Sequence, residues 1–597
     1  MNIVGKMLRV VPLAVLLWST HCLAAQTRSV EAGEKWEVTE RTRLSSLTIA
    51  KGAQFVSPDG RSLTMTVNNV EESIEPGTYN GDIVLTPSTA IYKTYSGEGI
   101  TATYEFRTAV YVNNGSYMES YSVPSAAKGG AVDARSADGV NVTSAAPLFS
   151  AFLIDGNSAF TINRPVIHMT GNGKNDFFGY GASIRVGDKS QVTINGAKID
   201  NSGAVRTAIW VGDNANVTVN DSEIEAHEGV VPKDYGWSWA TGESRKGAVL
   251  MEAPWMLGVK GNNRATVVVG HGTATYNNTH IRAQAWGALA TDSVEEILIK
   301  LNKCHIETVD SGYGAIADEN SMIDSRGSTF DVADYGAILI GGSVVLSDGS
   351  VLNSRRFGLM AWGGNTGRII IDKGSVVNSV KAAIQLKSAS PEVLIDNATV
   401  ISKSGTILEM FPNDDPNQSS GRQTSPPDAK GIPRSESRAP KKYCPSNGTN
   451  DQFTTIKNTT LTGNFVNALT ETSAMNVSLI NATVTGAITT ASYEHAVGPL
   501  GEKLVMQDSP DLYYLIGEVT ETYAPTLTAH GASVTLDGQS KWIITQTSYL
   551  TGLTVAPGAS IAAPAGHSLG MTVDGTPHFA EPGVYKGEIV LTVSDGK

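Results

Sequence analysis

Gly314-Ala-Ile-Ala-Asp318, Gly336-Ala-Ile-Leu-Ile340 and Gly358-Leu-Met-Ala-Trp362 are copies of one phrase, a glycine followed by a run of small and branched apolar residues. Working outward, the phrase returns at Gly287-Ala-Leu-Ala-Thr-Asp292, Ala382-Ala-Ile-Gln-Leu386 and Gly405-Thr-Ile-Leu-Glu409, at intervals of roughly 22–27 residues. A second short apolar run follows each opening, as in Glu296-Ile-Leu-Ile299, Val344-Val-Leu346, Arg368-Ile-Ile-Ile371 and Glu392-Val-Leu-Ile395. A third follows a Gly or Asn turn: Gly327-Ser-Thr-Phe330, Gly349-Ser-Val-Leu352, Gly374-Ser-Val-Val377 and Asn397-Ala-Thr-Val400. Runs this short cannot close a sheet of their own. They bury their apolar faces only by stacking turn upon turn, so the spacing predicts an all-β solenoid of three parallel sheets around an Ile/Val/Leu/Ala core.

The template extends back to Gly181-Ala-Ser-Ile-Arg185 with Gln191-Val-Thr-Ile194, and to Arg206-Thr-Ala-Ile-Trp210 with Asn216-Val-Thr-Val219. It extends forward to Thr459–Thr462 and Met475–Val484. These residues resemble the right-handed parallel β-helix proteins, the pectin-lyase-like group together with bacterial adhesin passengers. The resemblance covers residues 136–490, implies a right-handed three-sheet solenoid, and says little about activity, because that fold hosts many functions.

A second repeat brackets the first. Trp36–Ser88 aligns without a gap to Trp542–Ser594, matching Gly52-Ala53 to Gly558-Ala559, Met65-Thr-Val67 to Met571-Thr-Val573 and Glu75-Pro-Gly77 to Glu581-Pro-Gly583. A small β module is therefore expected at each end, over residues 26–95 and 542–597, capping the solenoid against edge-to-edge association. These modules are similar to the end rungs of autotransporter passengers. Residues 96–135 read as a hairpin connection turning at Asn113-Asn-Gly115, and residues 491–541 as a connecting β segment. Two insertions break the rhythm: 228–257, rich in aromatics, and 411–450, rich in Pro and Ser.

Composition agrees with an exported β protein. Of 597 residues 61 are Gly and 17% are charged, and the net charge of −13 with scattered Lys and Arg excludes nucleic acid as a partner. Lys6 and Arg9, an apolar run and Cys22-Leu-Ala-Ala25 form the layout of a secretory signal over residues 1–25, so a periplasmic, extracellular or cell-surface location is expected. No later run is long enough to span a bilayer. Past the signal only Cys304 and Cys444 remain, and two readings stand side by side: one disulfide, or two separate thiols.

Candidate site residues fall into two sets. Aromatic residues that precede the coil-opening glycine, Tyr180, Trp286, Tyr313, Tyr335 and Phe357, form a column at one coil position. They serve either as a sugar-binding strip or as a stack that stabilises the corner. Trp210 and Trp362 on the first strand, with Tyr235, Trp237, Trp239 and Trp255 from the aromatic insertion, complete the ligand-binding set. Near the phase of the first strand lie Arg185, Lys260, Asp292, Asp318 or Glu319, and Lys387. Asp292 and Glu319 are the acid/base candidates, and Lys260 and Arg185 would neutralise an anionic substrate. A one-residue slip would turn these side chains from groove to core. Gly270-His271-Gly272 echoes polygalacturonases without their paired acids, and no motif asks for a metal or cofactor.

Two functions follow. One is a carbohydrate or small-ligand site, lyase or isomerase in type, in a groove along the first sheet. The other is a non-catalytic, adhesin-like surface solenoid.

Overall fold

The computed structural model describes residues 26–97, 100–231, 257–293, 295–414, 442–444, 446, 448–499, 510–526 and 528–595. The signal segment, most of the aromatic insertion with Tyr235, Trp237, Trp239 and Trp255, and most of the Pro/Ser insertion lie outside these residues. Among the described residues the chain is all-β, with short 3₁₀ turns and no α-helix.

In the coil region strands pair in parallel with their counterparts one coil before and one coil after, with one break between Thr399–Ser402 and Thr460–Thr462, which is the pattern of a β-solenoid. Gly287–Thr291 pairs with Tyr313–Ala317, which pairs with Tyr335–Leu339, which pairs with Phe357–Gly364. Ile297–Asn302 does the same with Ser321–Arg326, and His305–Thr308 with Thr329–Val332. The strands collect into long sheets of 16, 16 and 18 members, the last continuing into the C-terminal module. Alternation decides which side chains go in: Ile297, Ile299 and Leu301 are 0% exposed while Lys300 between them faces solvent. Each such Ile or Leu contributes about 1.5–3 kcal/mol by leaving water. A charge in place of Ile299 would break the coil.

The repeated glycine has a steric cause. A Cβ on Gly314 would lie 2.7 Å from the Gly336 carbonyl oxygen, and one on Gly336 would lie 2.6 Å from that of Gly358, so the coils can close ranks only where the side chain is absent. Asparagine at the strand ends is equally purposeful. Asn195, Asn220, Asn277 and Asn302 each donate a side-chain N–H to the carbonyl of the asparagine one coil earlier, beginning at Asn163, every bond being 2.8 Å long.

The end modules share one pairing scheme. Thr27–Val30 pairs in parallel with Thr42–Ile49 as Ala532–Leu536 pairs with Ser548–Val555, with Thr27 opposite Ser46 and Ser533 opposite Gly552. Even the bulge recurs, between Leu44 and Ser46 in one and Leu550 and Gly552 in the other. At the N-terminal end the turn at Asn114-Gly115 folds only Ser116–Tyr117 back onto Ile100–Asn113, which pairs more extensively with Ile91–Gly97.

Cys304 and Cys444 are buried thiols and not the halves of a cystine. Cys304 Sγ points at the Tyr276 carbonyl, 3.2 Å away, and Cys444 Sγ at that of Ser321, 3.4 Å away. The one-disulfide reading is thus set aside. Cys304 fills the coil interior, and Cys444 is buried against Ser321 and Ser343.

Candidate functional site

The outer face of the first sheet is where the sequence placed a groove. Pairing resolves its phase: Arg185, Trp210, Val267, Ala290, Ile316, Ile338, Met360, Gln385 and Glu409 follow one another in register from coil to coil. Trp362 and Lys387 pair in the column two residues on, Asp318 rather than Glu319 is the buried acid, and Lys260 and Asp292 lie off the paired strands.

This face is a second closed core. Trp210, Trp286, Tyr313, Tyr335 and Phe357 are at most 2% exposed, and they cluster with Ile316, Ile338 and Met360 beneath Leu257 and Val259. Within the aromatic column Tyr335 and Phe357 stack with centroids 5.4 Å apart and planes at 13°. Arg356 pins the cover. Its Nη1 donates to Gly258 O at 3.0 Å and to Asp334 Oδ1 at 3.0 Å, and its Nη2 donates to Tyr514 O at 2.8 Å and Ile516 O at 3.1 Å.

Among the candidate catalytic residues Arg185 and Asp292 are held in separate ion pairs. Arg185 Nη1 is 3.0 Å from Asp155 Oδ1, and its guanidinium lies 4.2 Å from the Trp210 ring centroid and 4.9 Å from that of Phe178. Asp292 receives Arg264 Nη2 at 2.7 Å, and Arg264 also binds Asp176. Burial pushes the Asp176 carboxyl up to about 6, with Asp292 adding and Arg264 opposing. Lys260 is exposed, its Nζ 5.9 Å from the Tyr513 ring centroid. Glu319 is half-buried in the turn after Tyr313–Ala317, and Trp362 is half-buried.

A polar cluster of which the sequence flagged only Lys387 lies further along the same face. Gln385 Nε2 donates to Glu409 Oε1 at 2.8 Å and to Gly517 O at 2.8 Å; Lys387 Nζ is 2.7 Å from Asp414 Oδ1, and Gly517 N donates to Asp414 Oδ2 at 2.7 Å. Glu521, on the strand Val519–Tyr523 that pairs antiparallel with Ile488–His495, faces Glu409, and its buried Oε1 has no hydrogen-bond partner among the described residues. Burial pushes both carboxyls up. Glu518 and Asp414 add to the effect at Glu409, and Glu409 itself adds to it at Glu521. Glu409 follows Arg185 and Trp210 in one column, which would have flagged it had the phase been known. Glu521 arrives from more than a hundred residues away, and no local pattern announces it.

The described residues contain no cluster of His, Cys, Asp and Glu suited to a metal ion, and no helix long and apolar enough to cross a membrane. No known family model matches the chain, and no curated protein is significantly similar to it.

Proposed function

We propose that the protein is an exported, right-handed, three-walled β-helix that works without catalysis as a capped surface shaft of the adhesin-like kind. The observation that carries this reading is the closure of the outer face of the first sheet. Its aromatics are buried in one cluster with Leu257 and Val259, and Arg185 and Arg264 are neutralised by Asp155, Asp176 and Asp292. A catalytic groove needs acids and bases that reach a substrate; here Arg185 and Asp292 are held by Asp155 and Arg264. Function then rests on the outer turns. One shallow polar concavity there, about 610 Å³, is lined by Asn397, Thr399, Asn458, Thr460, Asn481 and Thr483, one set per coil.

The test presents the purified chain to a polysaccharide panel and to cell surfaces, scoring retention together with new reducing ends and unsaturated products. Retention without any product is expected. Product formation that disappears in Asp292→Asn or Glu319→Gln would sink the proposal and restore the carbohydrate-active reading.

A further inference from the structure

The two end modules are the same object in different surroundings, and the difference marks an unused edge. In the C-terminal copy, Ala532–Leu536 and Lys541–Ile543 sit on the last coil, paired in parallel with Met475–Ile480 and Thr483–Thr485. The joint is made by main-chain bonds, Asp537 N to Leu479 O at 3.1 Å, Lys541 N to Ala482 O at 2.9 Å and Gly486 N to Ile543 O at 2.9 Å. The indole of Trp542, 0% exposed, adds a bond from Nε1 to Gly486 O at 2.9 Å, and Ser533 Oγ donates to Asn476 Oδ1 at 2.7 Å.

In the N-terminal copy the matching strands are Thr27–Val30 and Lys35–Glu37, and among the described residues nothing pairs with their outer side. The matching side chains are retained: Thr27 stands for Ser533, Lys35 for Lys541 and Trp36 for Trp542. Trp36 is half-buried with Arg28 over its ring at 4.0 Å, and the Glu31 N–H that corresponds to Asp537 is held by Glu34 Oε2 at 2.9 Å, a side chain standing in for a coil's carbonyl.

The opposite end is built to refuse such an addition. The N-terminal module meets the first coil through Val70–Glu72, whose Glu71 carbonyl accepts from Ala145 N at 2.8 Å, so the Glu71 main chain faces that coil. Its counterpart in the C-terminal copy is Pro577, which has no N–H to offer.

We propose that the outer edge of the N-terminal module, Thr27–Val30 with Lys35–Glu37, is a docking site for the terminal coil of another β-solenoid, which adds as two short parallel strands and gives a main-chain carbonyl to the Trp36 indole. The continuity is with the joint this chain already makes at its other end, in the same register. Edge addition of this kind draws affinity from main-chain bonds and selectivity from alternate side chains.

The experiment uses the full chain from residue 26 and a fluorescein-labelled peptide of residues 475–486, read by anisotropy. Saturable binding is expected. Ser29→Pro, which removes an N–H from the outer edge, should weaken it roughly tenfold, and Trp36→Phe, which keeps an aromatic ring and loses the donor, roughly threefold. Thr576→Pro, at the refused end, should change nothing. Absence of saturable binding, or equal binding by Ser29→Pro, overturns the proposal. So does sedimentation showing that the chain self-associates and Ser29→Pro does not, since the edge would then belong to a second copy.

Discussion

Arg185 Nη1 and Asp155 Oδ1 lie 3.0 Å apart with both side chains 1% exposed, a buried ion pair at the point where sequence alone suggested a substrate-neutralising cation. Arg185→Ala leaves Asp155 with Lys93 Nζ, 2.9 Å from its other oxygen, as its remaining partner. A loss of about 3 kcal/mol is expected in chemical denaturation. A loss below about 1 kcal/mol would show that the pair is not a structural tie.

Arg356 ties two remote segments to one coil, so Arg356→Ala should loosen the cover before it unfolds the coils. Hydrogen exchange is expected to quicken at residues 257–260 and 510–517, with binding of a hydrophobic dye, while the amides of Ile297–Asn302 keep their protection. Uniform quickening along the chain would contradict a local latch.

The Glu409 and Glu521 carboxyls are raised above the ordinary value of 4.5, so the folded state holds protons that the unfolded chain releases. Their contribution to stability is complete below about pH 4.5 and is lost as pH rises through the raised values, a fall that Asp176 joins on its own rise to about 6. Wild-type unfolding midpoints should therefore drop from mildly acidic to alkaline pH. Glu409→Gln with Glu521→Gln should flatten that slope; an unchanged slope in the double variant would refute the assignment.

Arg206 is fully buried, and among the described residues its three guanidinium nitrogens find no hydrogen-bond partner. Burial pulls its pKa down to about 10, against the pull of Glu71. An isolated buried cation is costly, so Arg206→Met is expected to stabilise the chain by about 1–3 kcal/mol in urea unfolding. Destabilisation by the variant would mean the guanidinium is held by more than packing.

Buried thiols at Cys304 and Cys444 predict that a reducing agent leaves the thermal midpoint unchanged and that both react with a thiol reagent only after denaturation. Burial also raises the Cys304 thiol, which slows its reaction further. Recovery of no thiol from the denatured, unreduced chain would reinstate the disulfide.

Much of the architecture could be read from particular residues. Gly314, Gly336 and Gly358 mark close approach between coils, the Asn195-to-Asn302 ladder marks strand ends, and the match of Trp36–Ser88 to Trp542–Ser594 foretells two modules with one register. The candidate site was less legible. Arg185 and Trp210 were correctly set in one column, but Lys260 and Asp292 were drawn in by a pattern that tolerates a slip of a residue or two. Whether a column faces water depends on what lies over it, and Leu257, Val259 and Ile516 come from segments with no coil rhythm at all.

What the sequence determined by itself is the repeat: short apolar strands at a constant interval have a single way to leave water, and that local periodicity is written in every coil. What only the tertiary structure decided is which faces are covered and which charges meet. Arg356 reaching Gly258 and Ile516, and Glu521 reaching Glu409, are contacts between residues far apart in the chain. Their energies depend on burial that no window of neighbouring residues contains, and the same dependence decides that Trp210, Trp286, Tyr313, Tyr335 and Phe357 are buried.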